Sequence, residues 1–118
     1  MQDKVVLITG AASGVGQSAA QALVEQGARV VVADVDEHNG RETAQRLGEA
    51  ALFVRLNIAD EYDWEQAMAV TYAHFGRLDA VVNNAGILPM GDIEQTSLQE
   101  WRRTLSINAD GTFLGCKY

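Results

Sequence analysis

Cysteine, proline and long apolar runs are scarce in this chain. Of its 118 residues only Cys116 is a cysteine and only Pro89 is a proline. A single cysteine excludes an internal disulfide and is typical of proteins from a reducing compartment. No apolar run approaches membrane-spanning length, and Met1 to Lys4 lead into a strand pattern rather than a signal peptide. We therefore expect a cytoplasmic protein with no membrane partner.

Positive charge is scarce as well. The chain has 9 Lys and Arg residues against 16 Asp and Glu, which leaves a net charge of −7. Scattered basic residues do not form the cluster that a phosphate-backbone surface requires, so we expect no nucleic-acid partner. Because 47% of the residues are hydrophobic, the chain has enough apolar material for a core. We expect residues 1–118 to form one domain.

The first feature of note is a strand pattern that runs into three glycines. Val5 to Thr9 favour a strand, Gly10, Gly14 and Gly16 follow, and a helical pattern begins directly behind them. Free N–H groups and the positive end of a helix dipole converge at such a turn and form a site for phosphate. The spacing G-x-x-x-G-x-G differs from the commoner G-x-G-x-x-G. The prediction of a dinucleotide therefore depends on how such a turn binds phosphate and not on an exact match to the common motif. A glycine turn without a ligand is the alternative.

Each glycine has its own predicted role. Gly10 is expected to make the tight turn, Gly14 to let the backbone approach a pyrophosphate, and Gly16 to let the helix pack close to the strand. Behind them, the spacing predicts a helix that ends before Gly27 and buries one apolar face, formed by Val15, Ala19, Ala22 and Leu23.

The second predicted strand ends in a carboxylate. Arg29 to Asp34 is an apolar run of the kind found in a parallel sheet covered on both faces. Asp34 is placed to accept hydrogen bonds from both hydroxyls of an adenosine ribose and to repel the 2′-phosphate of NADP, which favours NAD. Asp36 could serve equally, and an Asp that merely starts a turn is a further alternative.

Strand and helix patterns continue to alternate along the chain. Behind Asp34 we predict an exposed rim helix, a third strand, a helix with an apolar core stripe, a fourth strand and a last helix, at 37–47, 51–56, 60–75, 78–86 and 97–117. The core stripe consists of Trp64, Ala67, Met68, Thr71, Tyr72 and Phe75.

This alternation predicts an α/β fold. With right-handed crossovers it gives a doubly wound parallel sheet, a Rossmann fold with three α/β/α layers, in strand order 3-2-1-4. The fourth strand is then an apolar edge, and natural sheets rarely leave such an edge uncovered. We therefore expect the sheet to be incomplete at its C-terminal side, with further strands needed to cover the fourth.

Two further strand ends are candidates for a ligand crevice. Ligands in open α/β sheets bind outside the carboxyl ends of the strands, so Asn57 and Ile58 could face an adenine, although an ordinary turn explains them as well. The amides of Asn83-Asn84 follow a buried strand and are costly there unless hydrogen-bonded, so we expect them to tie neighbouring loops together. Ala85 and Gly86 offer a close backbone surface for a ribose or nicotinamide.

Together these features resemble the short-chain dehydrogenases/reductases over essentially the whole chain. The motifs that carry the resemblance are Thr9 to Gly16, Asp34, Asn83 to Gly86, and Asn108. Local sequences such as Gly115-Cys116 are most similar to those of bacterial 3β/17β-hydroxysteroid dehydrogenases and related secondary-alcohol dehydrogenases. The resemblance implies an oxidoreductase that transfers a hydride between NAD and a secondary alcohol or ketone, with hydroxysteroids as one candidate class.

The resemblance also implies roles for individual residues. The pyrophosphate side of NAD would be held by Gly10, Ser13, Gly14, Val15 and Gly16, its adenosine ribose by Asp34, its adenine by Asn57 and Ile58, and its central ribose region by Asn83, Ala85 and Gly86. Most relatives have Asp where this chain has Asn57, and an amide oxygen can still accept a hydrogen bond from the adenine amine.

The last predicted helix adds two implications. Asn108 matches a helix asparagine of the family whose backbone carbonyl holds a water in a proton relay; a poor helix former tolerated in mid-helix is the alternative. Helices in this position commonly form subunit contacts in the family, which implies a homo-oligomer.

The acid–base residues of the family are missing from these 118 residues. Its chemistry uses a Ser and a Tyr with a Lys four residues later, whose cation lowers the pKa of the phenol. The residues four beyond Tyr62 and Tyr72 are Gln66 and Gly76, and Tyr118 is the last residue. We therefore expect this chain to supply the cofactor-binding half and to be inactive alone. A non-catalytic dinucleotide-binding or dimerisation module is the alternative, and an aggregation-prone remnant is a third.

Overall fold

Four parallel strands form one sheet in a computed structural model that describes residues 1–118. Strands β1 to β4 span Val5–Thr9, Arg29–Asp34, Ala51–Arg55 and Ala80–Val82. They lie in the order β3-β2-β1-β4, and each neighbouring pair is parallel. The predicted parallel sheet, its strand order and its Rossmann-like architecture are confirmed.

Five α-helices accompany the strands. Helices α1 to α5 span Gly14–Glu25, Glu37–Leu47, Glu61–Phe75, Leu98–Leu105 and Gly111–Lys117. A π-helical turn at Ser106–Asp110 joins α4 to α5, so the single last helix predicted from the sequence is interrupted. Asp60 caps α3, since its Oδ1 accepts from the N–H groups of Tyr62 at 2.9 Å and Asp63 at 3.3 Å.

The core lies in two layers on opposite faces of the sheet. Alternate residues of β1 and β2 face opposite sides, and both sides are buried, as expected for parallel strands covered by helices. On one side Leu7 and Val31 pack with Trp64 of α3 and Leu114 of α5. On the other side the core residues of the strands and of α1 and α2 include Val6, Ile8, Val30, Val32, Ala20, Ala44 and Leu47.

Helix α1 packs on the sheet through part of the predicted face, since Ala19 and Leu23 pack against the core. Val15 is 76% exposed and Ala22 is also exposed, whereas Gly16 and Ala20 are the buried residues of the helix. The reason is the close approach at Gly16, where an added Cβ would lie 2.3 Å from the carbonyl oxygen of Gly10. This contact turns Val15 away from the sheet, towards the crevice at its edge.

The apolar stripe of α3 is confirmed except at one position. Trp64, Ala67, Met68 and Thr71 are buried and Phe75 packs against the same cluster. Tyr72 is 53% exposed, so its predicted core position is wrong. Thr71 occupies the inward position instead and satisfies its hydroxyl by donating to the carbonyl of Ala67 at 2.7 Å.

The β4 side of the sheet is much less covered than the β2 side. Strand β4 has only three residues, of which Ala80 and Val82 are exposed. Apolar residues of α4, α5 and the loop before α4 are also exposed, among them Leu88, Met90, Ile93, Leu98, Trp101, Leu105 and Phe113. Ser97 caps α4 as predicted, since its hydroxyl accepts from the N–H of Glu100 at 3.1 Å.

Candidate functional site

A cavity lies at the carboxyl ends of the four strands. Its volume is about 510 Å³, and 15 residues line it, of which 7 are hydrophobic. They come from the turn after β1, the segments after β2, β3 and β4, and one face of the α4 region. This position is where open α/β sheets bind their ligands, and an apolar lining with a few polar groups is typical of small-molecule sites.

The glycine turn supplies free N–H groups to this cavity. Gly10 has φ +67° and Gly14 has φ +55°, a backbone conformation that favours glycine. No atom lies within 4 Å of where a Cβ of Gly14 would be, so a ligand can approach the backbone there. Ser13 makes no side-chain cap bond, and the N–H groups of 14–16 donate to no backbone carbonyl. A diphosphate fits this turn, because free N–H groups at a helix start bind anions.

Gly16 has the packing role predicted for it and does not line the cavity. Besides its approach to Gly10, an added Cβ would lie 2.6 Å from the side-chain nitrogen of Asn84. A glycine is therefore required for the distance between α1 and the end of β1, whereas Gly10, Ser13, Gly14 and Val15 all line the cavity.

Asp34 lines the cavity and its carboxylate is held in place. Its two oxygens accept from the N–H groups of Ala12 and Asp36, each at 3.0 Å. The bond to Ala12 ties the end of β2 to the glycine turn. A ribose that meets this carboxylate is therefore aligned with a phosphate on the turn.

Asp36, the alternative to Asp34, has a different task. Its carboxylate caps α2 and accepts from the backbone N–H of Asn39 at 3.0 Å and from the side-chain amide of Asn39 at 2.6 Å. These bonds, the backbone one first, lower the pKa of Asp36 from its ordinary value of 3.8. Asp36 does not line the cavity, whereas Asp34 does.

Asn57 and Ile58 both line the cavity at the end of β3. The side-chain oxygen of Asn57 accepts from the N–H of Ala59 at 3.1 Å, and its own N–H donates to Asp63 at 2.8 Å. The alternative interpretation of Asn57 as part of an ordinary turn therefore holds as well. The side-chain oxygen that could accept from adenine is the same oxygen that stabilises this turn. Ile58 is buried and accepts a hydrogen bond at its carbonyl from the indole of Trp64 at 2.9 Å.

Asn84 ties the ends of β1 and β4 together as predicted. Its side-chain nitrogen donates to the carbonyls of Thr9 at 2.9 Å and Gly10 at 3.4 Å. The hydroxyl of Thr9 accepts from the N–H groups of Asn84 and Ala85, each at 3.0 Å, and donates to Val82. These bonds fix the backbone that borders the cavity.

Asn83, by contrast, lies outside the cavity lining. Its side chain is directed at α5, where its nitrogen lies 3.7 Å from Sγ of Cys116 and its oxygen would clash with a Cβ at Gly115. Neighbouring residues of an extended segment point to opposite sides, so this side chain contacts α5, and a role of Asn83 at the central ribose stays a prediction. Ala85 and Gly86 do line the cavity.

Asn108 holds the loop after β4. Its side-chain oxygen accepts from the N–H of Ile87 at 2.8 Å and its nitrogen donates to the carbonyl of Ile87 at 2.7 Å. The residue lies within the π-helical turn, a distortion that often marks functional sites. Its backbone carbonyl accepts from the hydroxyl of Thr112 at 3.0 Å. Asn108 thus holds the cavity wall formed by Gly86 and Ile87, and the water that the resemblance places on its carbonyl stays a prediction.

Several lining residues were missed by the sequence reasoning. They are Val35, Leu56, Asn84 as a wall residue, Ile87, Arg103 and Ile107. Val35 and Leu56 adjoin residues that were predicted, so the strand ends could have indicated them. Arg103 and Ile107 belong to α4 and the π-helical turn, and no motif marks them, because only the packing of that helix brings them to the cavity.

The three tyrosines lie away from the cavity. Tyr62 and Tyr72 are exposed on α3, and no tyrosine lines the cavity. The hydroxyl of Tyr118 donates to Glu61 at 2.7 Å, and this bond raises the pKa of Tyr118. Lys117 is paired with the same Glu61. None of the helices combines the length and the apolar character needed to cross a bilayer.

Comparisons with known proteins agree with this geometry. The chain is 43% identical over 117 residues to a 3-beta-hydroxysteroid dehydrogenase of Comamonas testosteroni, covering 99% of this chain and 46% of that protein. It is 44% identical over 124 residues to a trans-4-hydroxycyclohexanecarboxylate dehydrogenase of Sinomonas cyclohexanicum, covering 98% of this chain and 48% of that protein.

A solved structure gives the same picture. The crystal structure of a 3-ketoacyl-(acyl-carrier-protein) reductase from Brucella melitensis, complexed with NADH, superposes with a TM-score of 0.95 at 36% identity, covering 98% of this chain and 48% of that one. The chain thus spans about half the length of the relatives it matches. The family model described as short chain dehydrogenase matches residues 4–118, and the chain belongs to that family.

Proposed function

We propose that this chain is the cofactor-binding half of an NAD-dependent oxidoreductase that interconverts a secondary alcohol and a ketone. The observation that carries the proposal is the shared cavity of the glycine turn and Asp34, joined by the bond from the N–H of Ala12 to the Asp34 carboxylate. The N–H groups suit a diphosphate, and the carboxylate suits the two hydroxyls of a ribose. The NADH bound by the Brucella reductase is consistent with it.

The preference for NAD over NADP rests on charge. Asp34 repels an additional phosphate on the ribose, and residues 10–16 contain no Lys or Arg. Arg103 is the one cation that lines the cavity, and it belongs to α4, on the other side of the sheet from α1 and α2. We therefore expect the carboxylate of Asp34 to disfavour a phosphate at the ribose 2′ position.

The remaining residues position the cofactor rather than react. Asn57 and Ile58 would flank the adenine, and Ala85 and Gly86 would border the central ribose, on a wall that Asn108 holds through Ile87. When bound, NAD supplies the carbon that accepts the hydride. The proposal places the Ser and the Tyr-x-x-x-Lys that would handle the hydroxyl proton outside these residues, which is supported by the 46% coverage of the hydroxysteroid dehydrogenase.

The proposed substrate class is supported by the names of two relatives. Enzymes named for a hydroxysteroid and for a hydroxycyclohexanecarboxylate both suggest a secondary alcohol on a ring as the group oxidised. We also propose a homo-oligomer in the cytoplasm, supported by the exposed apolar face of α4 and α5, including Leu98, Trp101 and Phe113, and by the single free Cys116.

A titration followed by an activity assay tests the proposal. Fluorescence titration of the chain with NADH and with NADPH should show binding of NADH and at least tenfold weaker binding of NADPH. Incubation with NAD and a cyclic secondary alcohol should yield no NADH from this chain, because a positioned acid–base group contributes about 10²–10⁴ in rate. Equal affinity for both cofactors would contradict the Asp34 argument, and absence of NADH binding would contradict the function.

The alternative function is a dinucleotide-binding or dimerisation module that has no catalytic partner segment. The exposed apolar face of α4 and α5 favours association in either case. An activity assay on the protein encoded by the complete reading frame distinguishes the dehydrogenase from the module. Turnover of a cyclic secondary alcohol by that protein supports the dehydrogenase, and NADH binding without turnover supports the module.

A further inference from the structure

Arg103 is a cation that lines the cavity and has no partner in the chain. It is exposed on α4, and its guanidinium takes part in none of the six ion pairs. In a protein of net charge −7 an unpaired arginine beside a cavity is conspicuous. Asp34 is the other charged residue in the lining, so these two determine the charge of the site.

The packing of the α4 region places Arg103 on the β3 side of the cavity. Ile107, one turn further along, lines the cavity too and packs against the core cluster that contains Leu56 and Ile58. The next turn brings Gly111 against Ile58, where an added Cβ would lie 2.6 Å from its Cδ1. Residues 103, 107 and 111 therefore form a row above the end of β3.

A neighbouring face of the same helix is directed at the end of β4. Asn108 is bonded there to Ile87. The row that contains Arg103 is thus separate from the wall that would border the nicotinamide side. It overlooks the place where Asn57 and Ile58 would receive the adenine.

We propose that Arg103 determines affinity for the adenine end of the cofactor by stacking its guanidinium on the exposed face of the base. This inference rests on the proposed function. The base would lie with one face on Ile58 and Ile107, an apolar surface, and the guanidinium would cover the other. Arginine stacks on aromatic faces because its charge is delocalised over a plane that is weakly hydrated.

Calorimetric titration of the 118-residue chain with NADH, ADP-ribose and nicotinamide mononucleotide tests this role. Arg103→Ala should weaken NADH and ADP-ribose about two- to fivefold, the effect of a cation–π contact at an exposed site. Nicotinamide mononucleotide, which has a phosphate and no adenine, should bind unchanged. Arg103→Lys should recover only part of the ADP-ribose affinity lost in Arg103→Ala, because the ammonium keeps the charge and lacks the planar guanidinium.

The matched control is Arg102→Ala. Arg102 is an exposed neighbour on the same helix and does not line the cavity, so its removal changes net charge equally and should leave every affinity unchanged. Full affinity in Arg103→Lys, a loss for nicotinamide mononucleotide, or a larger loss for NADPH than for NADH would assign Arg103 to a phosphate and overturn the stacking role.

The two proposals fail in different ways. If the unsubstituted chain binds neither NADH nor ADP-ribose, the proposed function is wrong and the role of Arg103 falls with it. If the unsubstituted chain binds both and Arg103→Ala binds them equally well, only the role of Arg103 is wrong.

Discussion

The two sides of the sheet differ in how completely they are covered. On the side of β2 the strand is buried between α1, α2 and α3, and the site residues there are held by several hydrogen bonds. On the side of β4 the strand is short and exposed, and α4 presents apolar side chains to solvent. The part of the cavity formed by the glycine turn and Asp34 is therefore held firmly in place, whereas the β4 side leaves apolar surface exposed.

Two tryptophans give the sharpest test of this contrast. Trp64 is 0% exposed and Trp101 is 54% exposed. Trp64→Ala should lower the free energy of unfolding by about 3–5 kcal/mol, because it opens a cavity and leaves the carbonyl of Ile58 without its donor. Trp101→Ala should change it by less than about 0.5 kcal/mol.

Denaturant unfolding of both variants measures this difference. Equal losses would mean that the α4 face is packed in solution, for instance by a second copy of the chain. In that event dilution should remove the effect of Trp101→Ala but not that of Trp64→Ala.

The second test compares two carboxylates, both close to the end of β2. Asp34→Ala should weaken NADH binding by about 1.5–3 kcal/mol, the value of hydrogen bonds to a charged group, and should bring the NADH and NADPH affinities together. Asp36→Ala should lower the stability of α2 by about 0.5–2 kcal/mol as a lost cap and keep the cofactor preference. Binding titration and thermal melting of both variants separate the roles, and a lost preference in Asp36→Ala would reverse the assignment.

The third test concerns the close packing below the glycine turn. Gly16→Ala should destabilise the chain by about 1–3 kcal/mol, because its Cβ meets backbone at the end of β1. Gly91→Ala, at an exposed loop position with no atom within 4 Å of the added Cβ, is the control and should have little effect. A thermal melting curve of each variant measures the effect. An unchanged melting temperature of Gly16→Ala would show that α1 can move away from the sheet.

The smallest expected effect is a pH dependence at the start of β4. Asp79 accepts from the guanidinium of Arg77 at 2.5 Å and from the N–H of Val5 at 2.9 Å. Arg77 first, then Val5, lowers the pKa of Asp79 from 3.8 to about 2. A lowered pKa stabilises the fold above the ordinary value, and this stabilisation is lost as the pH falls from about 4 towards about 2.

Asp79→Asn should remove that dependence. The denaturation midpoint of the unsubstituted chain should fall across this pH range more steeply than that of the variant. Parallel curves would mean that Asp79 is not bonded to β1 in solution and that the β4 edge is looser than its contacts indicate.

Much of the fold could be predicted because its signals are local. Apolar runs ended by glycine or Asp define β1, β2 and the start of α1, and Asp60 and Ser97 mark the starts of α3 and α4 through caps that involve only neighbouring residues. The cofactor turn is likewise contained in residues 10–16. Short-range chemistry of this kind is readable without knowledge of what packs where.

The errors have a common physical cause. Val15 and Tyr72 were placed in the core by helical spacing, yet a spacing defines a face only to within one residue, and the contact at Gly16 or the fit of Thr71 selects the residue that is buried. The sequence does not distinguish Asn83 from Asn84. The direction of the backbone after β4 points the side chain of Asn83 at α5 and that of Asn84 at the glycine turn.

The chain's local chemistry is enough to indicate the strands, the turn that suits a diphosphate and the carboxylate that suits a ribose, because each depends on residues close in sequence. The strand order follows from the regular alternation of strands and helices with right-handed crossovers. The choice between Asp34 and Asp36, the hydrogen bonds of Asn108 to Ile87, and the position of Arg103 at the cavity depend on segments as far apart in the chain as Gly10 and Arg103. Such contacts follow from how helices dock on the sheet, and docking is settled by the shape of the packed side chains rather than by any motif.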